Sequence, residues 1–113
     1  MSKAYVPDAG DIVWLEFDPQ AGHEQSGHRP ALVLSPAIYN TKVSLAVCCP
    51  LSTKTKGYPF EVQVESDKSI SVVLSDQIKS LDWRVRKAKF KSKITPAQLR
   101  QVRANIKALL SIE

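Results

Sequence analysis

Residues 11–34 read DIVWLEFDPQAGHEQSGHRPALVL, two apolar runs held apart by a polar, glycine-bearing loop. Side chains of an extended chain alternate between two faces. In Asp11–Asp18, Ile12, Trp14 and Glu16 therefore share one face, and Val13, Leu15 and Phe17 the other. Both faces are mostly apolar, so both are expected to be covered, with Trp14 in the core. Pro19 cannot donate to a ladder and ends the run. Pro30–Leu34 is a second short apolar run of β type, closed by Ser35-Pro36. The loop between them, Gln20–Arg29, exceeds the ~4–6 residues usual for a connection, a length common in functional loops.

Outward from this pair, Val43–Leu51, Tyr58–Glu65, Ser69–Leu74 and Val85–Phe90 read as further strands. Within Tyr58–Glu65, Phe60, Val62 and Val64 alternate with Glu61, Gln63 and Glu65, the pattern of a strand with one wet face. Short strands separated by turns predict a small barrel or sandwich. The period then changes. Thr95-Pro96 supplies an N-cap with proline at the first helical position. Leu99, Val102, Ile106 and Leu109 follow at helical spacing, which predicts an amphipathic helix. Arg100, Arg103 and Lys107 occupy its other side, as a solvated face or as contacts for a polyanion. No repeat, low-complexity tract or linker divides residues 1–113, so one β-rich α+β domain is expected.

The chain has 113 residues, of which 43% are hydrophobic and 24% charged, a globular composition that argues against disorder. Its apolar stretches fall short of the ~20 residues of a membrane span. The opening MSKAYVPDAG has no apolar segment of signal-peptide type. Cys48 and Cys49 are neighbours, a spacing that seldom bridges, and neither CxxC nor Cys/His metal spacing is present. A reduced, cytoplasmic protein is expected. The net charge of +5 is unevenly spread. Residues 1–78 hold six Lys/Arg against nine Asp/Glu, while residues 79–113 hold ten against two. That basic end suggests a polyanion partner, most simply nucleic acid.

Two polar loops hold the reactive side chains. The first carries His23, Glu24, His28 and Arg29. The second, Ser52–Gly57, carries Ser52, Thr53, Lys54 and Lys56. Together they offer a base, an acid, cations and hydroxyls, the set that phosphodiester chemistry needs. No glycine-rich phosphate loop, HExxH or magnesium-type carboxylate cluster is present, so metal-free, cofactor-free chemistry is expected. Each residue also has a plain structural reading: Glu24 as a solvated loop residue, Arg29 as a partner of Asp18 or Glu24, Ser52 and Thr53 as turn hydroxyls. Trp83, between Asp82 and Arg84, reads as partly exposed and available to stack on a base or a partner protein.

The segments YVPDAGDIVWLEFDPQAGHEQSGHRPALVLSP, CCPLSTKTKGYPFEV and VVLSDQIKSLDWRVR resemble the three sequence blocks of the MazF/PemK (Kid) toxin family. The likeness runs from about Tyr5 to Arg86, with a compatible C-terminal helix. It implies an SH3-like small barrel of the CcdB/PemK type with a C-terminal amphipathic helix, assembled as a homodimer. It also implies the toxin of a type II toxin–antitoxin system, an mRNA interferase that arrests growth. Such enzymes cut single-stranded RNA at short sequences, of ACA type in close relatives, without metal. The ribose 2′-hydroxyl attacks, leaving a 2′,3′-cyclic phosphate and a 5′-hydroxyl. A cognate MazE-like antitoxin would block the site with an acidic, flexible segment. The resemblance places the catalytic arginine at Arg29. The family's threonine falls on Ser52, which keeps the hydroxyl and loses the methyl that restricts its rotamer. Thr53 follows and is the alternative donor. Glu24 takes an acidic position, as general base or as the partner that orients Arg29, and His28 is the alternative base or acid. Gln25, His28, Lys54, Lys56, Lys79, Arg84 and Arg86 are the expected substrate contacts. Two rival functions remain on a barrel of this kind: a gyrase-poisoning toxin and a non-catalytic single-stranded RNA binder. The gyrase class lacks the Gly-His-Arg-Pro block and uses a C-terminal Trp tail, where this sequence ends Leu110-Ser111-Ile112-Glu113.

Overall fold

A computed structural model describes residues 4–17, 27–66 and 69–112. Its elements are β1 (Asp11–Glu16), β2 (His28–Val33), α1 (Ala37–Val43), β3 (Leu45–Ser52), β4 (Glu61–Ser66), β5 (Ser69–Leu74), β6 (Lys79–Asp82), β7 (Lys89–Lys93) and α2 (Pro96–Leu109). The strands pair antiparallel in the order β4-β5-β3-β2-β1-β7, with β6 also on β3. Strand β3 is the hub. It meets β2 through Cys48–Pro50, β6 through Leu45–Cys48 and β5 through Leu51–Ser52. Passing one edge of β3 from β6 to β5 curls the sheet into a half-barrel.

The alternation of β1 is realised in the packing. Ile12 joins Leu32, Cys49, Leu51 and Val73 in a cluster inside the curl. Val13 and Leu15 join Ala31, Val33, Cys48 and Trp83 on the opposite face. Helix α2 closes the inner cluster with fully buried Val102, flanked by Leu99 and Ile106, while Leu109 stays exposed. Its start is fixed by a capping box. Thr95 Oγ1 accepts from the Gln98 N–H at 3.1 Å, and Gln98 Oε1 accepts from the Thr95 N–H at 3.2 Å. The same period of two sends Cys48 and Cys49 to opposite faces, where both are free and buried. Burial, followed by the neighbouring thiol for Cys48 and by Asp76 for Cys49, pushes each up to about 12.

The structure departs from the sequence expectations at β6, where no strand is expected, at the start of β2, where His28 and Arg29 lie on the strand and not in the loop, and in three further places. First, Val43 ends a helix, and the strand begins only at Leu45. This seven-residue helix shows no apolar stripe, since Ile38, Tyr39 and Val43 are all exposed. It is anchored by one buried polar residue, Asn40. The Asn40 amide donates to the Pro7 carbonyl at 2.8 Å and the Ser35 carbonyl at 2.9 Å, and accepts from the Ser35 hydroxyl at 2.6 Å. Second, Val85–Phe90 is mostly turn. Asp82 Oδ1 accepts from the Arg84 and Val85 N–H groups and the Ser44 hydroxyl, and strand begins again only at Lys89. Third, the two tryptophans exchange roles. Trp83 is only 6% exposed, and its Nε1 donates to the Asn40 carbonyl at 2.9 Å. Trp14 lies two residues along the face of Ile12, outside the inner cluster, and is half-buried.

Candidate active site

The start of β2 and the end of β3 meet at the rim of the curled sheet. Their register pairs Val33 with Cys48, Leu32 with Cys49 and Ala31 with Pro50. Arg29 and Ser52 each lie two residues beyond the last of these pairs. Alternation places these two on the face of Ala31 and Cys48, and places Trp14, Pro30 and Leu51 on the face of Ile12. Two depressions open at this rim. One, of about 290 Å³, is lined by Lys54, Lys56, Tyr58, Glu61 and Gln77. The other, of about 320 Å³, is lined by Trp14, His28, Ser71 and Lys91. Arg29, Ser52 and Thr53 line both.

The polar depression is shaped by the loop that follows β3. Ser52 is nearly buried, and its Oγ accepts from the Lys54 N–H at 3.1 Å and reaches the Lys54 carbonyl only at 3.4 Å. The hydroxyl is thus oriented by its lone pair, with a weakly held proton to offer a substrate oxygen. Glu61 clamps the loop further on. Its carboxylate accepts from the Lys56 N–H at 2.8 Å and the Gly57 N–H at 2.9 Å. Gly57 sits at φ 74°, a conformation that favours glycine. Tyr58 donates to Asp76 Oδ1 at 2.9 Å, and burial followed by this hydrogen bond pushes its phenol up to about 12. It therefore serves as a donor and not as a base near neutrality. Gln77 was not singled out by the sequence. Its Oε1 is buried with no hydrogen-bond partner among the described residues. Such an orphaned acceptor costs about 1–3 kcal/mol, a cost that a ligand donor would relieve.

In the second depression the rings of Trp14 and His28 stack at 5.5 Å between centroids and 6° between planes. Lys91 Nζ lies 5.6 Å from the Trp14 ring centre. His28 Nδ1 is 3.6 Å from Glu16 Oε2, and the imidazole is 51% exposed. Lys91 was absent from the expected contacts, although KAKFKSK at 87–93 already showed lysines at strand spacing.

Other expected contacts lie elsewhere. Arg84 donates to the Thr41 carbonyl at 3.2 Å and covers the Trp83 ring at 4.2 Å, beside a separate depression lined by Tyr5 and Lys87. Arg86 donates to the Glu16 carbonyl at 2.7 Å, next to the Glu16–His28 pair. Lys79 pairs with Cys48 at the start of β6. None of these three lines either rim depression. His23, Glu24 and Gln25 lie outside the described residues. Among the described residues no three His, Cys, Asp or Glu side chains converge as metal ligands. No helix among them is long and apolar enough to cross a membrane.

A family model described as the PemK-like, MazF-like toxin of type II toxin–antitoxin systems matches residues 8–110. The chain belongs to this family. The endoribonuclease toxin MazF of Escherichia coli K12 is 47% identical over 110 residues, covering 97% of this chain and 99% of that protein. The crystal structure of MazF from Deinococcus radiodurans superposes with a TM-score of 0.92 at 50% identity, covering 96% of this MazF-like chain and all of the other. A MazE–MazF complex from the same organism matches with a TM-score of 0.85 at 49% identity, over 97% of this chain and all of that one.

Proposed function

We propose that this endoribonuclease cuts single-stranded RNA at the rim where Arg29 and Ser52 line the same two depressions, using protein groups and no metal ion. The observation that carries this reading is the convergence of Arg29, Ser52 and Thr53 on a ridge shared by two depressions, one walled by Lys54 and Lys56. A phosphodiester laid on that ridge meets a cation and an oriented hydroxyl. The ribose 2′-oxygen forms a bond to phosphorus as the bond from phosphorus to the 5′-oxygen breaks. Glu24 takes the proton of the attacking 2′-hydroxyl. His28, beside Glu16, returns a proton to the departing 5′-oxygen. Arg29 and the Ser52 hydroxyl stabilise the negative charge that builds on the phosphoryl oxygens, with Thr53 the alternative donor. The products are a 2′,3′-cyclic phosphate and a 5′-hydroxyl, and the cellular substrate is cytoplasmic mRNA cut at short adenine-containing sites of ACA type.

Partners follow from the same surface. The MazE–MazF complexes of Deinococcus support a MazE-like antitoxin for this chain. An acidic antitoxin segment would compete with RNA for Lys54, Lys56 and Lys91. We also propose that residues 1–113 act as one domain within a homodimer. The test is incubation of purified protein with end-labelled single-stranded RNA in EDTA. Discrete cuts ending in cyclic phosphate support the reading, and RNA that is bound but left whole refutes it.

A further inference from the structure

We propose that the depression floored by Trp14 and His28 is a nucleobase subsite, so that the RNA strand crosses the ridge of Arg29 and Ser52 from one depression to the other. This inference rests on the ribonuclease reading above and adds the path of the strand. A phosphate reacting at Arg29 and Ser52 has nucleotides on both sides, and these two residues line both depressions. The two depressions differ in chemistry. The one with Lys54, Lys56, Glu61 and Gln77 is built of charges and amides. The other presents a half-buried indole, stacked within 6° of parallel on an exposed imidazole, with an ammonium 5.6 Å from the indole centre.

A flat aromatic platform beside a cation is the combination that holds an unpaired base and its phosphate. The surrounding strands make that platform conspicuous. On β1, Ile12, Val13 and Leu15 are all at most 1% exposed, and Trp14 alone among these four stays half open. Its partner across the ladder is Pro30, which has no N–H to compete for a base edge. Ser71 and Ser92 border the same depression with hydroxyls able to donate to or accept from that edge. The base continues the Trp14–His28 stack, and Lys91 meets the adjoining phosphate.

The experiment uses the full chain and a single-stranded RNA that the wild type cleaves. In a series of substrates, each nucleotide near the cut is replaced in turn by an abasic ribose. A matching oligonucleotide with a 2′-deoxy sugar at the cut reports affinity without cleavage. Trp14→Leu is expected to lower kcat/KM by about 10- to 100-fold, the range one base–aromatic stack supports, and to weaken the uncleavable oligonucleotide comparably. One abasic position should cost the wild type that factor and cost Trp14→Leu nothing further. Trp14→Phe keeps a ring, should keep most of the affinity, and should abolish the quenching of tryptophan emission by RNA, since Trp83 is buried. Trp14→Leu behaving as wild type, abasic penalties unchanged by the substitution, or quenching that persists in Trp14→Phe would each overturn the subsite. A loss confined to binding of an acidic peptide would also overturn it, as the mark of a protein-docking site. If RNA stays whole while abasic-sensitive binding still follows Trp14, the subsite stands and the cleavage reading falls.

Discussion

The backbone N–H of Lys56 donates to Glu61 Oε2 at 2.8 Å, so the acidic residue that opens β4 holds the basic loop in place. Glu61 lines the cleft, yet both its oxygens are engaged by Lys56 and Gly57. It acts here as a positioning residue. Glu61→Ala releases the loop and spreads Lys54 and Lys56 over many positions. The expected result is a rise in KM of about tenfold or less, with kcat at saturation changing far less, since uniform binding is what is lost. Steady-state cleavage checks this. A fall in kcat with KM unchanged would point instead to a role in proton transfer.

Gln77 sets stability against function. Gln77→Met removes the orphaned Oε1 while keeping length and volume. Thermal unfolding should show a gain of about 1–2 kcal/mol, because a buried unsatisfied acceptor is gone. Cleavage of RNA should weaken in the same variant if the acceptor is kept for a substrate donor. Equal activity with higher stability would place Gln77 outside the substrate's reach.

Acid stability should depend on Asp11. Burial alone would raise its carboxyl, but hydrogen bonds from Lys93 Nζ and Tyr5 OH, both at 2.7 Å, and from the Asp8 N–H outweigh burial and hold it below the usual carboxylate range. A carboxyl depressed in the folded state stabilises fully above its unfolded pKa of about 3.9. That stability is lost as pH falls through the lower, folded value. Asp11→Asn should therefore be less stable than wild type at neutrality by about 1–3 kcal/mol, with the gap closing below about pH 4. Urea unfolding at several pH values measures it.

The two cysteines should be inert in the folded chain. Each is buried with its thiol pushed up to about 12, so almost no thiolate exists near pH 8. A thiol reagent such as DTNB should label two sulfurs per chain in denaturant and none promptly without it. Fast labelling of the native protein would contradict the packing on either side of β3.

Period-two alternation made β1 and β4 legible, and Thr95-Pro96 marked α2, because local rules and tertiary packing agree there. Helix α1 was hidden because it is held by Asn40 rather than by an apolar stripe. The exchange between Trp14 and Trp83 has the same origin. Trp83 is buried by a hydrogen bond to a residue 43 positions away, and Trp14 is left open because the inner cluster stops at Ile12. In the site, Arg29 and Ser52 were named through the family resemblance, while the antiparallel pairing of β2 with β3 brings them to one end of the sheet, where both line the same depressions. Arg84, an expected substrate contact, is held by the Thr41 carbonyl and the Trp83 ring beside a separate depression. Lys91 was passed over because its closeness to the Trp14 ring depends on the pairing of β1 with β7.

The most direct test of the central claim is single-turnover cleavage of a single-stranded RNA in EDTA by wild type and Arg29→Ala, with folding of both verified by circular dichroism. Cyclic-phosphate ends are expected from the wild type, and a rate lower by about 10²–10³ in the variant, the cost of losing one electrostatic donor to the transition state. A folded Arg29→Ala that cleaves at the wild-type rate would contradict the claim.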